Sequence, residues 1–248
     1  MYKNLFTLTL IASSLSAYAQ STDVQNIDDA DASTHDIERI LVSGDFREIT
    51  LDQLSASATI LNQARLSSRQ PSHIDSVLNS VPNVNFTAGA SRGRFIQIRG
   101  IGERSQFAEP INPSVSFIVD EFDFSGLAAA GLIFDTQQLD VYRGPQATLY
   151  GTGALAGAVK LSSNKVGSES PKYVEARLGS KDSYRVEAAA GDDINTDWGY
   201  RVALVHNRSD GFVENTYLNR DDTNNIDETA MRLSVEGNAD ERTTLAFT

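Results

Sequence analysis

Residues 138–159 read QLDVYRGPQATLYGTGALAGAV, and this stretch decides the fold. An apolar strand containing Leu139 and Val141 comes first. A turn follows at 143–145, because proline fixes φ and the glycine before it tolerates positive φ. A short helical turn and a loop of glycine and alanine residues then lead into a second strand. Side chains this small let two backbone segments approach closely, so the stretch predicts a tightly packed strand–turn–helix–strand unit.

The glycines also allow a different interpretation, a loop that holds a phosphate group. Gly151, Gly153 and Gly157 do not have the G-x-G-x-x-G spacing of dinucleotide-binding loops, and no Gly-Lys-Ser/Thr follows them. The sequence therefore argues against a nucleotide site. It contains no cysteine, and its three histidines are scattered without the spacing of metal ligands, so we expect no metal site and no other cofactor.

Three segments that precede this stretch have regular patterns. Residues 72–82 predict a helix, with Ser72 and Asp75 as a capping box and Pro82 as the stop. Residues 94–102 alternate apolar and polar side chains, as a half-buried strand does, and residues 114–120 predict another strand. The region from 45 to about 165 is therefore expected to form a compact domain that mixes helices and strands.

These elements together resemble the plug domain of TonB-dependent outer-membrane receptors. The resemblance rests on the segment 138–159, on Pro82-Asn83-Val84, on Ile98-Arg99-Gly100 and on Val119-Asp120. It implies an α+β plug domain, a small mixed sheet with short helices, followed by the start of a transmembrane antiparallel β-barrel. Glu121 stands where the family has glycine, so the sequence leaves open whether a tight turn follows Asp120. The residues that carry the plug motif are Arg99, Gly100, Asp120, Arg143, Gly144, Pro145, Tyr150, Gly151 and Gly157.

The charged residues of this motif allow two interpretations. Arg99, Asp120 and Arg143 stand beside predicted strands, at positions where a charge needs a partner if it is buried. They either pair with the barrel wall or hold the plug together internally. The sequence leaves both arrangements open.

The start of the chain has the pattern of an export signal, assigned to residues 1–19. Lys3 supplies a positive charge, residues 5–15 supply a short apolar stretch, and Ala17-Tyr18-Ala19 has the form of a cleavage site. Residues 20–44 are expected to form a flexible periplasmic segment, because most of it is polar and acidic without apolar periodicity. The plug domain is assigned to 45–165 and the first barrel strands to 166–248.

A short β-prone run at the end of the flexible segment resembles the TonB box, through which receptors of this family contact TonB in the periplasm. Such a run can add a strand to the edge of a partner's sheet, with backbone hydrogen bonds providing most of the affinity. The alternative is that the run is simply the first strand of the plug. The residues assigned to the TonB box are Ile37, Glu38, Arg39, Ile40, Leu41, Val42 and Ser43.

From about residue 170 the chain alternates polar and apolar residues over long segments. Val202 and Leu204 share one face of a predicted strand, and Arg201 lies on the other. Apolar-out, polar-in alternation is typical of a transmembrane barrel. About eighty residues supply only four or five such strands, whereas a barrel that encloses a plug needs many more. We therefore expect the chain to be an N-terminal fragment of a longer receptor.

The resemblance also indicates where a ligand would bind. In the family, plug loops at the outer side of the molecule contact the ligand, which can be an iron chelate, a carbohydrate or a cobalamin. An acidic cluster at 221–227 lacks the glycine and spacing of a calcium loop and is expected to be a solvated external loop. The candidate ligand contacts in the plug loops are Arg92, Arg94, Glu103, Arg104, Gln106 and Phe107.

The implied function is import of an extracellular ligand across the outer membrane of a Gram-negative bacterium. TonB would deliver the energy, with ExbB and ExbD acting indirectly, and outer-membrane lipid would surround the barrel. Two alternatives remain: an outer-membrane binding or adhesion protein that keeps a plug without transporting, and a secreted enzyme, for which the sequence offers no catalytic motif. A formal net charge of −12 argues against a nucleic-acid partner.

Overall fold

The described part of the chain comes from a computed structural model. It comprises residues 56–88, 93–103, 113–125, 131–240 and 242–248, together with the backbone of two short strands at 41–42 and 49–50. All of these residues belong to the unit Arg39–Thr248. The expected export signal at 1–19 and most of the expected flexible segment lie outside the described residues.

Strands dominate the described residues, and the helices are short. The helices are α1 (Gln63–Arg69), α2 (Ile74–Leu78) and α3 (Ala147–Tyr150). The strands are β1 (Leu41–Val42), β2 (Ile49–Thr50), β3 (Ser57–Asn62), β4 (Val84–Ala88), β5 (Gly93–Ile98), β6 (Val115–Val119), β7 (Phe122–Asp123), β8 (Thr136–Arg143), β9 (Gly157–Ser163), β10 (Tyr173–Leu178), β11 (Tyr184–Asp193), β12 (Trp198–Ser209), β13 (Ile226–Asp240) and β14 (Thr243–Phe247).

The sheet of the plug has the strand order β3-β8-β9-β6-β7. β6 and β9 run parallel, and the other neighbours run antiparallel. Its centre is formed by Leu139 and Val141 on β8, which lie opposite Leu161 and Val159 on β9. All four side chains are fully buried, and α2 packs against the same apolar cluster. The mixed sheet with short helices is the α+β plug that the sequence predicts.

The helix predicted over 72–82 is shorter than expected, and its cap is different. α2 begins at Ile74, and its N-cap is His73, whose Nδ1 accepts the backbone N–H of Asp75 at 3.5 Å. The prediction of a capping box at Ser72 was therefore wrong. The Ser72 carbonyl instead accepts the backbone N–H of Ile133 at 3.2 Å, which ties the start of this helix to the segment before β8.

The second sheet joins β10 to β14 in chain order, and every neighbouring pair is antiparallel. The connections alternate in length, with a short turn between β11 and β12 and a longer loop at 210–225 between β12 and β13. These strands have the order and alternation expected for the start of the barrel, which does not close within this chain. Among the described residues, no helix is both long and apolar enough to cross a membrane.

The two faces of this second sheet differ in chemistry. Val202 and Leu204 lie on an exposed apolar face, and their register partners on β13 are Leu233 and Met231. Arg201 directly precedes Val202 on β12, so its side chain points to the other face, where it is buried. Alternate residues of a transmembrane barrel strand face lipid and lumen, so we expect the apolar face to meet lipid and call it the lipid face, and we call the face of Arg201 the lumen face.

A charge on the lipid face is expected to destabilise the barrel. We expect Leu204→Arg to cost about 2–4 kcal/mol, because an arginine near the bilayer midplane is poorly solvated. Urea unfolding of the full-length receptor in lipid vesicles measures this cost. Leu204→Met, which keeps an apolar side chain of similar volume, is the matched control. Equal stability of the two variants would show that this face does not meet lipid.

Candidate functional site

The turn after β8 brings two backbone segments very close together. The Gly144 N–H donates to the Ala156 carbonyl at 2.9 Å, and the Gln146 N–H donates to the Ala154 carbonyl at 2.8 Å. A Cβ added to Gly157 would lie only 2.2 Å from the Tyr142 carbonyl oxygen. Small residues are therefore required where the loop returns to the sheet and β9 begins.

At the turn formed by Arg99 and Gly100, the backbone conformation constrains the choice of residue, and the room around the side chain does not. Arg99 and Gly100 have φ of 54° and 80°, and the Ile101 N–H donates to the Ile98 carbonyl at 3.0 Å. Two consecutive positive φ values are typical of a type I′ turn. A Cβ on Gly100 would meet no atom within 4 Å, so this glycine serves the turn and not a close approach.

Arg143 holds the plug together internally. Its guanidinium donates to the Ser57 hydroxyl, the Ala58 carbonyl and the Pro82 carbonyl, each at 3.2 Å. The side chain therefore links β3, β8 and the chain after α2. Of the two arrangements that the sequence left open, these bonds support the internal one for Arg143.

Asp120 has an internal role of the same kind. Its carboxylate accepts the Ser163 N–H at 2.8 Å and the Ser163 hydroxyl at 3.0 Å, which joins the end of β6 to the end of β9. Asp120 itself has a φ of 54°, and Val119 pairs with Phe122 across a two-residue turn. The tight turn thus forms with Glu121 in place of glycine, because Asp120 supplies the left-handed conformation.

Only one of the six candidate ligand contacts has a described side chain. The Glu103 carboxylate accepts the N–H and the hydroxyl of Ser114, both at 2.9 Å, and so braces the start of β6. Arg94 lies on β5, but its side chain is outside the described residues. Arg92, Arg104, Gln106 and Phe107 lie outside them altogether. Ligand contact by these six residues stays a prediction.

The expected TonB box is described only at two positions. Leu41 and Val42 form β1 and pair with Thr50 and Ile49 of β2, in a two-stranded sheet separate from the five-stranded plug sheet. The remaining residues of the run, Ile37–Ile40 and Ser43, lie outside the described part of the chain. The assignment of the run to TonB contact stays a prediction.

The plug meets the lumen face of the barrel strands through a buried ion pair that the sequence did not reveal. Asp135 precedes β8 and is 3% exposed, and Arg201 on β12 is 2% exposed. The guanidinium donates twice to the carboxylate, from Nε at 2.7 Å and from Nη2 at 2.5 Å. Asn164, which follows β9, donates to the same carboxylate at 2.8 Å. A bidentate arginine–carboxylate pair of this kind fixes orientation as well as distance.

A second set of buried polar groups lies beside this ion pair. Glu187 on β11 accepts the backbone N–H of Asp135 at 2.9 Å and the hydroxyl of Tyr173 at 2.5 Å. Arg185, two residues earlier on the same face, donates to Glu187 at 2.7 Å and to the Ile133 carbonyl at 2.5 Å. The segment that contains Ile133 and Asp135 is therefore held through both its backbone and its side chain.

Between these polar contacts, Phe134 supplies an apolar one. It packs in a buried cluster with Ala189 on β11 and with Ala203 and Val205 on β12. The guanidinium of Arg232 on β13 lies over the Phe134 ring, 4.6 Å from its centre, which is within the range of a cation–π contact. A cavity of about 430 Å³ opens beside this interface, between α1 and the strands β10 and β11.

Part of this interface could have been found from the sequence. The alternation of β11 and β12 already places the charges of Arg185, Glu187 and Arg201 on the polar face of the strands. The sequence did not indicate that Asp135 takes part in the interface, because this residue lies outside any repeating pattern and 66 residues before its partner. Only the folded chain brings the two together.

The long loop between β12 and β13 is exposed and carries local ion pairs. Arg220 donates to both oxygens of the Asp222 carboxylate at 2.8 and 2.9 Å, and this hydrogen bond lowers the pKa of Asp222 below its usual value. Phe212 and Tyr217 are largely exposed in the same loop. Within the described residues, no group of three or more histidine, aspartate or glutamate side chains is placed to hold a metal ion.

Comparison with known proteins shows which proteins this arrangement is similar to. The family model of the TonB-dependent Receptor Plug Domain matches residues 50–158. The pesticin receptor of Yersinia pestis is 27% identical over 170 residues, which cover 68% of this chain and 25% of that protein. The vitamin B12 transporter BtuB of Photobacterium profundum is 25% identical over 186 residues, 74% of this chain and 30% of its own length.

Solved structures show the same fold. The ferric yersiniabactin uptake receptor FyuA from Yersinia pestis superposes with a TM-score of 0.64 at 24% identity, over 75% of this chain and 29% of that one. The FpvAI–pyocin S2 complex gives a TM-score of 0.65 at 17% identity, over 80% and 24%. The chain thus spans about a quarter of the length of such relatives. Residues 50–158 thus match the plug domain of TonB-dependent receptors, and the antiparallel strands that follow resemble the start of the barrel of such receptors.

Proposed function

We propose that the protein imports an extracellular ligand across the outer membrane with energy delivered by TonB. The observation that carries this proposal is that a plug domain is held, through the buried Asp135–Arg201 pair, on the lumen face of strands with an apolar outer face. A plug held inside a barrel blocks diffusion, so passage of a ligand requires the plug to be rearranged by work.

The point at which this work would be applied is the run 37–43. Within the described residues, β1 and β2 pair over two residues each in a sheet of their own, and this small pairing supports release of Leu41 and Val42. Release of such a strand leaves its backbone donors and acceptors available for addition to the edge of a sheet in TonB. ExbB and ExbD would act on TonB, and the export signal at 1–19 would direct the chain towards the outer membrane.

The ligand is best sought among large nutrients and iron chelates. Relatives and structural neighbours are named for ferric yersiniabactin, pyoverdine and vitamin B12. The plug loops that carry Arg92, Arg94, Arg104, Gln106 and Phe107 would contact the ligand from outside. Glu103 would act more indirectly, since its carboxylate is already bound to Ser114.

A second candidate function is a binding or adhesion protein that keeps the plug but does not transport. The pairing of Leu41–Val42 with Ile49–Thr50 favours it, because a run used as a structural strand of the plug is not available to a partner. The two candidates differ in one property, dependence on TonB.

Uptake of labelled ligands by cells that express the full-length receptor tests the proposal. The panel contains a ferric catecholate, a ferric hydroxamate and cobalamin, and each is measured in cells with and without TonB. We expect one ligand to accumulate only when TonB is present. Binding of a ligand at the cell surface without accumulation in either strain would favour the binding protein instead.

A further inference from the structure

The segment between the last strand of the plug and the first strand of the second sheet is bound at several points. It comprises residues 164–172 and is here called the linker. The Ser168 N–H and hydroxyl both donate to the Asp193 carboxylate at the end of β11, the N–H at 3.3 Å. The Pro171 carbonyl accepts a hydrogen bond from Arg201 on β12 at 3.1 Å. The linker is therefore fastened to β11 and β12 before the chain continues into β10.

Two glycines let the linker lie directly on these strands. A Cβ added to Gly199 on β12 would lie 3.2 Å from both Cα and N of Gly167 in the linker. A Cβ added to Gly167, whose φ is 98°, would lie 2.8 Å from Oδ1 of Asp193. Either side chain would push the linker away from the carboxylate that binds Ser168. Gly167, Ser168, Asp193 and Gly199 are here called the linker clasp.

The alternation of apolar and polar residues does not by itself fix the register between β10 and β11. In the observed register Val174 lies opposite Ala188. A slip of one residue would turn the apolar side chains of β10 to the lumen face, whereas a slip of two residues keeps every side chain on its own face. The register that places Val174 opposite Ala190 is here called the slipped register. The alternating pattern is satisfied equally well by both.

The charged side chains of these two strands disfavour the observed register. It places Glu175 opposite Glu187 and Arg177 opposite Arg185, and like charges directly opposite each other destabilise a pair of strands. The ion pairs lie within each strand, between Glu175 and Arg177 and between Arg185 and Glu187, so they do not hold β10 against β11. The slipped register would place Arg177 opposite Glu187, which is a favourable cross-strand pair.

The loop that joins β10 to β11 does not favour the observed register either. Lys181 and Asp182 have φ of 59° and 47°, a left-handed conformation that costs energy, for the lysine in particular. The loop is closed by the Gly179 N–H, which donates to the Ser183 carbonyl at 2.9 Å. The slipped register would lengthen this loop by two residues and release both residues from the tight turn. The observed register must therefore be held from elsewhere.

We propose that the linker clasp sets the register of β10, and that Asp193 is the positioning residue that prevents the slip of two residues. The slip would move β10 by about 7 Å towards the linker, two residues of a strand. The linker is bound to β11 through Ser168 and to β12 through Pro171, so it cannot take up this movement without breaking those bonds. This role concerns assembly of the strands and is independent of whether the receptor transports a ligand.

Disulfide trapping in the full-length receptor reads the register directly. The chain contains no cysteine, so V174C/A188C reports the observed register and V174C/A190C reports the slipped one. In the observed register the second pair is diagonal and about 7–8 Å apart, too far for a disulfide to form in the oxidising periplasm. With the clasp intact, we expect only the first pair to cross-link. Asp193→Ala is expected to raise the second cross-link about tenfold, because it removes hydrogen bonds to a charged group.

The matched control lies at the other end of the same turn. The Asp197 carboxylate accepts the Thr196 hydroxyl at 3.2 Å, so Asp197→Ala removes an acidic side chain of the same type and leaves the clasp bonds in place. We expect this variant to cross-link in the observed register only. An equal rise of the slipped cross-link in Asp193→Ala and Asp197→Ala would show that Asp193 has no special role.

Two further variants separate the positioning role from a general loss of stability. Gly199→Ala displaces Gly167 without removing a charge and is expected to raise the slipped cross-link as well. Asp193→Asn keeps an acceptor for the Ser168 N–H and is expected to return most of the receptor to the observed register. If Asp193→Ala does not reach the outer membrane, Ser168→Ala, which loses only the hydroxyl bond, takes its place. Cross-linking in the observed register alone in every clasp variant would overturn the proposal.

Discussion

Replacing Gly157 with alanine is expected to destabilise the plug by about 3 kcal/mol, the upper range for overpacking a well-packed interior. The added Cβ would lie 2.2 Å from the Tyr142 carbonyl oxygen and 2.6 Å from Cδ1 of Ile98. Ile98 can shift its terminal methyl group, but the backbone of Tyr142 cannot shift without loss of sheet hydrogen bonds, because β8 is paired on both sides by β3 and β9. The strand must therefore separate locally or bend.

The measurement is the urea concentration at which the plug of the full-length receptor becomes sensitive to protease in membranes. Gly100→Ala is the matched control, since the chemical change is the same and the new Cβ meets no atom within 4 Å. Its cost is expected to be about 1 kcal/mol, from the positive φ alone. If Gly157→Ala is no more sensitive than Gly100→Ala, the close approach of β9 to β8 is not a constraint on the fold.

Most of the architecture follows from local patterns. The stretch 138–159 predicts strand, turn, short helix and strand in this order, and β8, α3 and β9 confirm it. The alternation after residue 170 predicts barrel strands, and β10–β14 confirm both their existence and their two faces. These predictions succeed because period-two alternation and a Gly-Pro turn act on neighbouring residues and need no knowledge of the rest of the fold.

The predictions that were wrong or missing concern contacts between distant residues. Ser72 is a better N-cap than His73 by local preference, yet the Ser72 carbonyl pairs with Ile133, so the helix begins one residue later, after His73. Asp135 shows the same limitation, because its partner lies on β12 and its burial depends on the packing of two sheets. No short segment of the sequence predicts long-range pairing of this kind.

A proline at position 41 is expected to abolish import and to leave ligand binding intact. Proline removes the backbone N–H of Leu41 and fixes its φ, so strand addition to TonB loses a donor in the middle of the run 37–43. We expect uptake to fall to about a tenth or less, because backbone hydrogen bonds provide most of the affinity in strand addition. Binding at the cell surface should be unchanged, since the plug sheet and the external loops do not include this residue.

The control for this variant must disturb the same small sheet without changing the run. Thr50 is the register partner of Leu41, so Thr50→Pro weakens the β1–β2 pair from the other side. If the run binds TonB, Thr50→Pro leaves import near the wild-type level. If β1 is only a structural strand, both prolines have the same effect.

The most direct measurement is therefore uptake and surface binding of the imported ligand by the full-length receptor, compared among wild type, Leu41→Pro and Thr50→Pro. The account predicts that Leu41→Pro alone loses uptake and that all three bind the ligand equally. Unchanged uptake in Leu41→Pro, or equal loss in both variants, would contradict TonB-driven import through residues 37–43.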